Sequence, residues 1–177
     1  SVIGVEVDMG IPKELQTSNG STELAEVIQL QNKEYKIHEI SMGNPHAVIF
    51  TDDLASIDLP VIGPLIENDS RFPNRTNVEF VKVLNDKEIE VAVWERGAGE
   101  TLACGTGACA SAVAANLAGK TGRRVLVRLP GGNLDIEWSE DNLREVEMGF
   151  IKRYNRIEEL ARHLNLEADA LKETLGR

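Results

Sequence analysis

The sequence predicts an α+β fold: a mostly antiparallel, curved sheet wrapped around one central buried helix, plus a helical C-terminal tail. Three observations carry this. Period-two alternation of apolar and polar residues recurs through the body of the chain, the mark of strands with one buried face. Residues 101–119 contain no charged side chain and seven alanines, as in a helix enclosed on every side. From residue 149 onward the apolar residues change to helical spacing.

In chain order, Val5, Val7 and Met9 alternate with Glu6 and Asp8 as a first strand. Tyr35, Ile37 and Glu39 alternate with Lys36, His38 and Ile40, and Ala47-Val48-Ile49-Phe50 is a short apolar run. Residues 59–68 read as a short helix although they hold Pro and Gly. Val78, Phe80 and residues 81–84 form the next strand, and Ile89, Val91 and Val93 alternate with Glu90, Ala92 and Trp94. Residues 106–118 are the central helix, with Gly119 where a C-terminal cap falls. Val125, Val127 and Leu129, then Leu134, Ile136 and Trp138, are two strands joined as a hairpin by Pro130-Gly131-Gly132-Asn133.

In the tail, Ile157, Leu160, Ala161 and Leu164 share one helical face and Ala168, Leu171 and Leu175 a second, with Asn165 capping the junction. The expected division is a domain over residues 1–148 and a helical tail over 149–177.

The 177 residues suit one domain with an appendage. With 19 Lys and Arg against 29 Asp and Glu, the net charge is −10. That argues against nucleic acid, which requires a basic face, and against anionic lipid. No apolar run reaches membrane-spanning length, and residues 1–20 lack a signal-peptide pattern. The start Ser1-Val2-Ile3-Gly4, without an initiator Met, reads as a cut or processed chain. Two cysteines five positions apart, Cys104 and Cys109, make neither a disulfide framework nor a zinc site. A reduced, cytoplasmic setting is expected, with no metal.

Chemistry concentrates between Trp94 and Cys109, where a strand ends in charge, a Gly-rich loop follows, and a thiol stands at the mouth of the buried helix. The first turn of a helix offers unpaired N–H groups and the positive end of a dipole. Gly105 and Gly107 keep that turn open, which suits a carboxylate. The same field predicts a depressed pKa for Cys104. If a proton leaves the α-carbon beside a carboxylate so held, fixed donors stabilise the developing charge by about 3–4 kcal/mol each. A cysteine at a helix start is more often a small buried hydrophobe. Cys109, inside the apolar helix, fits that description; Cys104, set among glycines with charges before it, fits it poorly. Taken singly, His46 reads as a structural histidine, Glu95, Arg96 and Glu100 as a solvated strand end, and Asn44 and Asn77 as turn residues.

Together, Gly43-Asn44-Pro45-His46, Arg75-Thr76-Asn77-Val78-Glu79-Phe80, Glu95-Arg96-Gly97-Ala98-Gly99-Glu100-Thr101, Ala103-Cys104-Gly105-Thr106-Gly107-Ala108-Cys109 and Leu129-Pro130-Gly131-Gly132 resemble the diaminopimelate epimerases in content and order. The resemblance runs from about residue 5 to about residue 148. It implies two similar domains, each a curved sheet around a helix, with this chain matching the C-terminal one. It implies conversion of LL-diaminopimelate to the meso form, for lysine and peptidoglycan precursors, without pyridoxal phosphate, metal or other cofactor. Two cysteines on opposite faces of the α-carbon exchange the proton, one as thiolate and one as thiol.

Carried over by position, Cys104 resembles the catalytic cysteine of the C-terminal domain. His46 and Glu95 resemble groups that tune or position the thiols. Asn44 and Asn77 resemble substrate-binding asparagines. Glu95 and Arg96 resemble the pair that holds the distal amino-acid group, and Gly105 and Thr106 the backbone donors to the reacting carboxylate.

Two departures stand out. The N-terminal domain with its partner cysteine is absent from this sequence, so that domain is an expected partner, beside a small amino-acid substrate. The tail reads as helical where the family continues with strand. The sequence leaves a homodimer open. Rival readings are a carboxylate-binding domain without turnover, or another racemase of the superfamily such as a proline racemase or a phenazine-biosynthesis-like isomerase; Glu95 and Arg96 favour a substrate with a second charged end.

Overall fold

The central strands are buried on both faces rather than one, because a helix lies against each side of the sheet. The computed structural model describes residues 5–14, 25–31 and 33–138; the helical tail expected over 149–177 lies outside them. Met9–Trp138 form one compact unit that holds every described element. Of the second unit, Ser1–Asp8 with Ser139–Arg177, residues 5–8 are described; they have no regular secondary structure, and Val5 and Val7 are 77% and 65% exposed. The strand expected at Val5, Val7 and Met9 is therefore not formed. Alternation makes a strand only where a neighbour supplies the ladder, and none of the described residues pairs with these.

The elements are β1 (Lys13–Glu14), β2 (Glu26–Leu30), β3 (Lys33–Ser41), β4 (Pro45–Phe50), α1 (Leu59–Glu67), β5 (Asn77–Asn85), β6 (Glu88–Glu95), β7 (Gly99–Thr101), α2 (Gly105–Leu117), β8 (Arg124–Leu129) and β9 (Gly132–Glu137), with a 3₁₀ turn at Leu54–Ser56. The nine described strands form one sheet of order β1-β3-β4-β5-β6-β8-β9, in which β2 also pairs with β3 and β7 with β6. Six pairings are antiparallel; β4 with β5 and β6 with β8 are parallel. The hairpin expected around Pro130-Gly131 is present, with Leu129 opposite Gly132.

Each parallel pair is joined through a helix, α1 between β4 and β5 and α2 between β6 and β8. Both crossovers advance the same way across the sheet, but their strands run in opposite directions because β5 and β6 are antiparallel. Right-handed crossovers then place the two helices on opposite faces. The core agrees. Ile40, Val48, Val81, Val91 and Val93 pack with α2, while the alternate residues Ile37, Ala47, Ile49, Val78 and Phe80 pack with Leu59, Ile62 and Ile66 of α1.

Small side chains let α2 touch β3, β4, β5, β6, β8 and β9, and residues 107–115 are all buried. The helix ends in a Schellman motif: Gly119 N–H donates to Asn116 O and Lys120 N–H to Ala115 O, each at 2.9 Å. Gly119 takes φ +67°, a conformation with little penalty only for glycine. Proline in the first turn starts α1 with its φ preset. Among the described residues no helix is long and apolar enough to cross a membrane.

Candidate active site

The N-terminal ends of β4 and β5, the C-terminal end of β6 and the N-terminus of α2 meet at one end of the sheet. His46 of β4 stands opposite Asn77 of β5 in the parallel register. Asn77 reaches β6, its Oδ1 accepting Arg96 N–H at 2.9 Å, and Asn44 reaches α2, its Nδ2 donating to Thr106 Oγ1 at 3.3 Å.

Cys104 is the N-cap of α2, with φ −141° and ψ 113°. Caps usually offer an oxygen to the first turn; here Sγ takes that place, accepting Gly107 N–H at 3.4 Å. Thr106 Oγ1 lies 3.5 Å from the same sulfur, and Ala108 N–H bonds to Cys104 O at 2.9 Å. The N–H groups of Gly105 and Thr106 are left without a partner among the described residues. Gly105 is exposed, so this first turn is open. Gly107 has a steric reason: a Cβ there would lie 2.7 Å from Glu79 Oε1 and 3.3 Å from Cys104 Sγ.

The expected depression of the Cys104 pKa is not found. Burial pushes the thiol above its usual value; the Thr106 hydroxyl and Gly107 N–H pull it down without restoring it, and the charge of Glu95, with that of Glu79 wherever it is ionised, pushes it further up. Only 8% of the residue is exposed, so lost hydration outweighs two long contacts to sulfur. At neutral pH Cys104 rests as a thiol. Cys109 is buried inside the helix, and burial, then the neighbouring Cys104, pushes it up to about 11.

His46 is wholly buried, and its hydrogen bonds go to neighbours of the sulfur rather than to the sulfur itself. Its Nδ1 lies 2.7 Å from Glu79 Oε1 and its Nε2 lies 3.1 Å from Asn44 Oδ1. Asn44 and Thr106 thus link it to Cys104. Asn77 is spent on the backbone, its Nδ2 donating to Pro45 O at 2.9 Å while its Oδ1 holds Arg96 N–H. Glu95, half-buried, acts through its charge on both Cys104 and Glu79. Arg96 is exposed, with Nη1 donating to Asn74 O at 3.1 Å. All eight residues singled out from the sequence therefore gather at this end of the sheet.

Two carboxyls there escaped the sequence reading. Glu79 is 0% exposed, inside β5; its signal was a charge placed within the apolar run Val78-Glu79-Phe80-Val81, where a buried polar group demands a partner. Glu67 is 5% exposed at the end of α1, and nothing in its neighbours distinguished it. It receives Gly97 N–H at 2.9 Å, Arg75 Nη1 at 3.1 Å and Trp94 Nε1 at 2.7 Å. These bonds hold the turn that carries Arg96. Among the described residues no cluster of three His, Cys, Asp or Glu could hold a metal ion. What the site can do is hold an anion at the two open amides and move a proton at one adjacent sulfur.

A model of the family described as Diaminopimelate epimerase matches residues 39–153. The diaminopimelate epimerase of Phocaeicola vulgatus is 53% identical over 141 residues, covering 77% of this chain and 50% of the relative. That of Desulfitobacterium hafniense is 51% identical over 146 residues, covering 80% and 52%. That of Synechococcus elongatus is 44% identical over 165 residues, covering 89% and 59%. The chain spans about half the length of the curated relatives it matches.

Proposed function

The chain belongs to the diaminopimelate epimerase family, and from that premise we propose that it supplies one face of a cofactor-independent epimerase site acting on diaminopimelate. The observation that carries the reading is the pairing of Cys104 Sγ with the open N–H groups of Gly105 and Thr106 on one helix turn. A substrate carboxylate held by those amides brings its α-carbon beside the sulfur. A base on the opposite face removes the α-proton, and the C–H electrons spread onto the carboxylate that the amides stabilise. Cys104, resting as a thiol, gives its proton to the near face and is left as thiolate. Run in reverse, the two groups exchange roles.

Asn44 meets the substrate from the turn before β4. Asn77 acts one step back by fixing the Arg96 backbone, and Glu95 with Arg96 reads the distal charged end. His46 tunes the thiol through Asn44 and Thr106. The second base would come from the remainder of a protein as long as the relatives. In the same reading, residues 1–148 form the C-terminal-type domain, its sheet curving around α2, and 149–177 are the tail that follows it. Two free thiols suit a reducing, cytoplasmic setting.

Cys104→Ala, placed in a protein of the relatives' full length, tests this: epimerisation and deuterium uptake at the α-carbon should fall to background. Retained epimerisation would end the proposal, and equal turnover of proline would move it to another racemase. A second reading is favoured by the position of Cys109, buried and pushed up to about 11, which leaves this chain one usable thiol: alone it binds amino-acid carboxylates without turnover. Calorimetry beside deuterium exchange separates the two, since binding without exchange supports the second.

A further inference from the structure

Four contacts join the buried Glu79 to the reacting sulfur. Glu79 Oε1 lies 2.7 Å from His46 Nδ1, His46 Nε2 lies 3.1 Å from Asn44 Oδ1, Asn44 Nδ2 lies 3.3 Å from Thr106 Oγ1, and Thr106 Oγ1 lies 3.5 Å from Cys104 Sγ. Hydrogen-bond chemistry gives this chain a direction. Asn44 Oδ1 only accepts, so His46 must carry a proton on Nε2. Thr106 Oγ1 accepts from Asn44, which leaves the hydroxyl proton for the sulfur.

The remaining question is the proton between Glu79 and Nδ1. An ionised Glu79 would face an imidazolium, and its Oε2 has no hydrogen-bond partner among the described residues. That would leave one anionic oxygen bare and out of solvent, with the charge of Glu95 acting on it. A neutral acid donating to Nδ1 avoids that cost.

We propose that Glu79 is a positioning residue: as a neutral carboxylic acid it sets the donor direction of the chain Glu79–His46–Asn44–Thr106, so that the Thr106 hydroxyl aims its proton at Cys104 Sγ. The inference rests on reading Cys104 as the reacting thiol. Burial raises the Glu79 carboxyl, the hydrogen bond and charge of His46 pull it back, and Glu95 adds to the rise, in keeping with a protonated acid. The consequence lies at the sulfur. A hydroxyl donor favours the thiolate that forms when Cys104 gives up its proton, and a neutral Glu79 spares that thiolate a second negative neighbour. The titratable groups acting there are Glu79 on β5, Glu95 at the end of β6, His46 on β4 through the chain, and Cys109 on α2.

The test uses the whole 177-residue chain. Nitrogen-15 spectra of the histidine side chains at neutral pH, with His46 assigned through His46→Gln, should show a neutral ring protonated on Nε2. Iodoacetamide alkylation of Cys104, followed by peptide mass as pH is raised, should give the parent midpoint in Glu79→Gln, whose amide N–H can still donate to Nδ1. Glu79→Leu and Thr106→Val should each raise the midpoint by about one unit, a tenfold loss of thiolate below it. A doubly protonated His46, a Glu79→Gln variant shifted as far as Glu79→Leu, or an unmoved midpoint in Thr106→Val would each overturn the inference. If Glu79→Leu does not fold, the parent spectra and Thr106→Val decide. Deuterium exchange into diaminopimelate is scored separately, in a protein of the relatives' full length: its absence there counts against the epimerase reading and leaves the hydrogen-bond result standing.

Discussion

Trp94 Nε1–H donates to Glu67 Oε2 at 2.7 Å, while Gly97 N–H donates to Oε1 of the same carboxylate at 2.9 Å. One side chain at the end of α1 thereby joins the last turn of a helix to the end of β6 and to the turn carrying Arg96. The carboxylate is 6% exposed, whereas Arg75, its third partner, is 54% exposed and adds little.

Glu67→Ala strands the indole and amide donors. Trp94 is half-buried and Gly97 exposed, so water takes over part of the lost bonding, and the urea midpoint should fall by the equivalent of about 1–2 kcal/mol at unchanged slope. Glu67→Gln keeps the size and one acceptor and should lose less. A parent-like midpoint in Glu67→Ala would mean that the turn holds itself.

Gly107→Ala should fold, since alanine gains about 1 kcal/mol of helix propensity over glycine. Its methyl would nevertheless sit 2.7 Å from Glu79 Oε1 and 3.3 Å from Cys104 Sγ, so the buried carboxyl must shift to admit it. In a protein of the relatives' full length, α-proton exchange should drop at least about tenfold, as a misplaced donor commonly costs. Undiminished exchange would show the contact to be loose.

Iodoacetamide should label Cys104 before Cys109 at neutral and mildly alkaline pH. Both thiols are pushed up by burial, but Cys109 is raised to about 11 and lies inside the helix, so its thiolate is the scarcer. Peptide mapping after short exposures reads the order directly. Labelling of Cys109 first would contradict the assignment of the caps.

The carboxyl of Asp69 is held below its ordinary value, first by hydrogen bonds from Arg71, whose Nε and Nη2 lie 2.7 and 2.9 Å away. A depressed carboxyl contributes stability above its unfolded pKa and loses it as pH falls through the folded one. Asp69→Asn should therefore be less stable than the parent at pH 7, and the two should converge in acid. Denaturant midpoints at both pH values check this; a gap that widens in acid would reverse the sign.

Much of the fold was legible because it is local. Alternation in Ile89-Glu90-Val91-Ala92-Val93 is strand periodicity whatever surrounds it, and the uncharged alanine run could only be an enclosed helix. β2 and β7 were not legible. β2 is a short edge strand whose Val27 is 55% exposed, and β7 is three residues inside a Gly-rich loop with no period to read. Val5 and Val7 show the converse, since they alternate and yet form no strand.

The same division runs through the site. The sequence alone determined that a thiol, two glycines and a charged strand end meet at a helix mouth, because those residues are neighbours along the chain. Only the tertiary structure decided that Glu79 and Glu67 belong there, since their partners lie 33 and 30 residues away. It also decided the state of Cys104. A helix N-terminus by itself favours a thiolate, but burial is set by the whole fold, and here the loss of water around the sulfur is the larger effect.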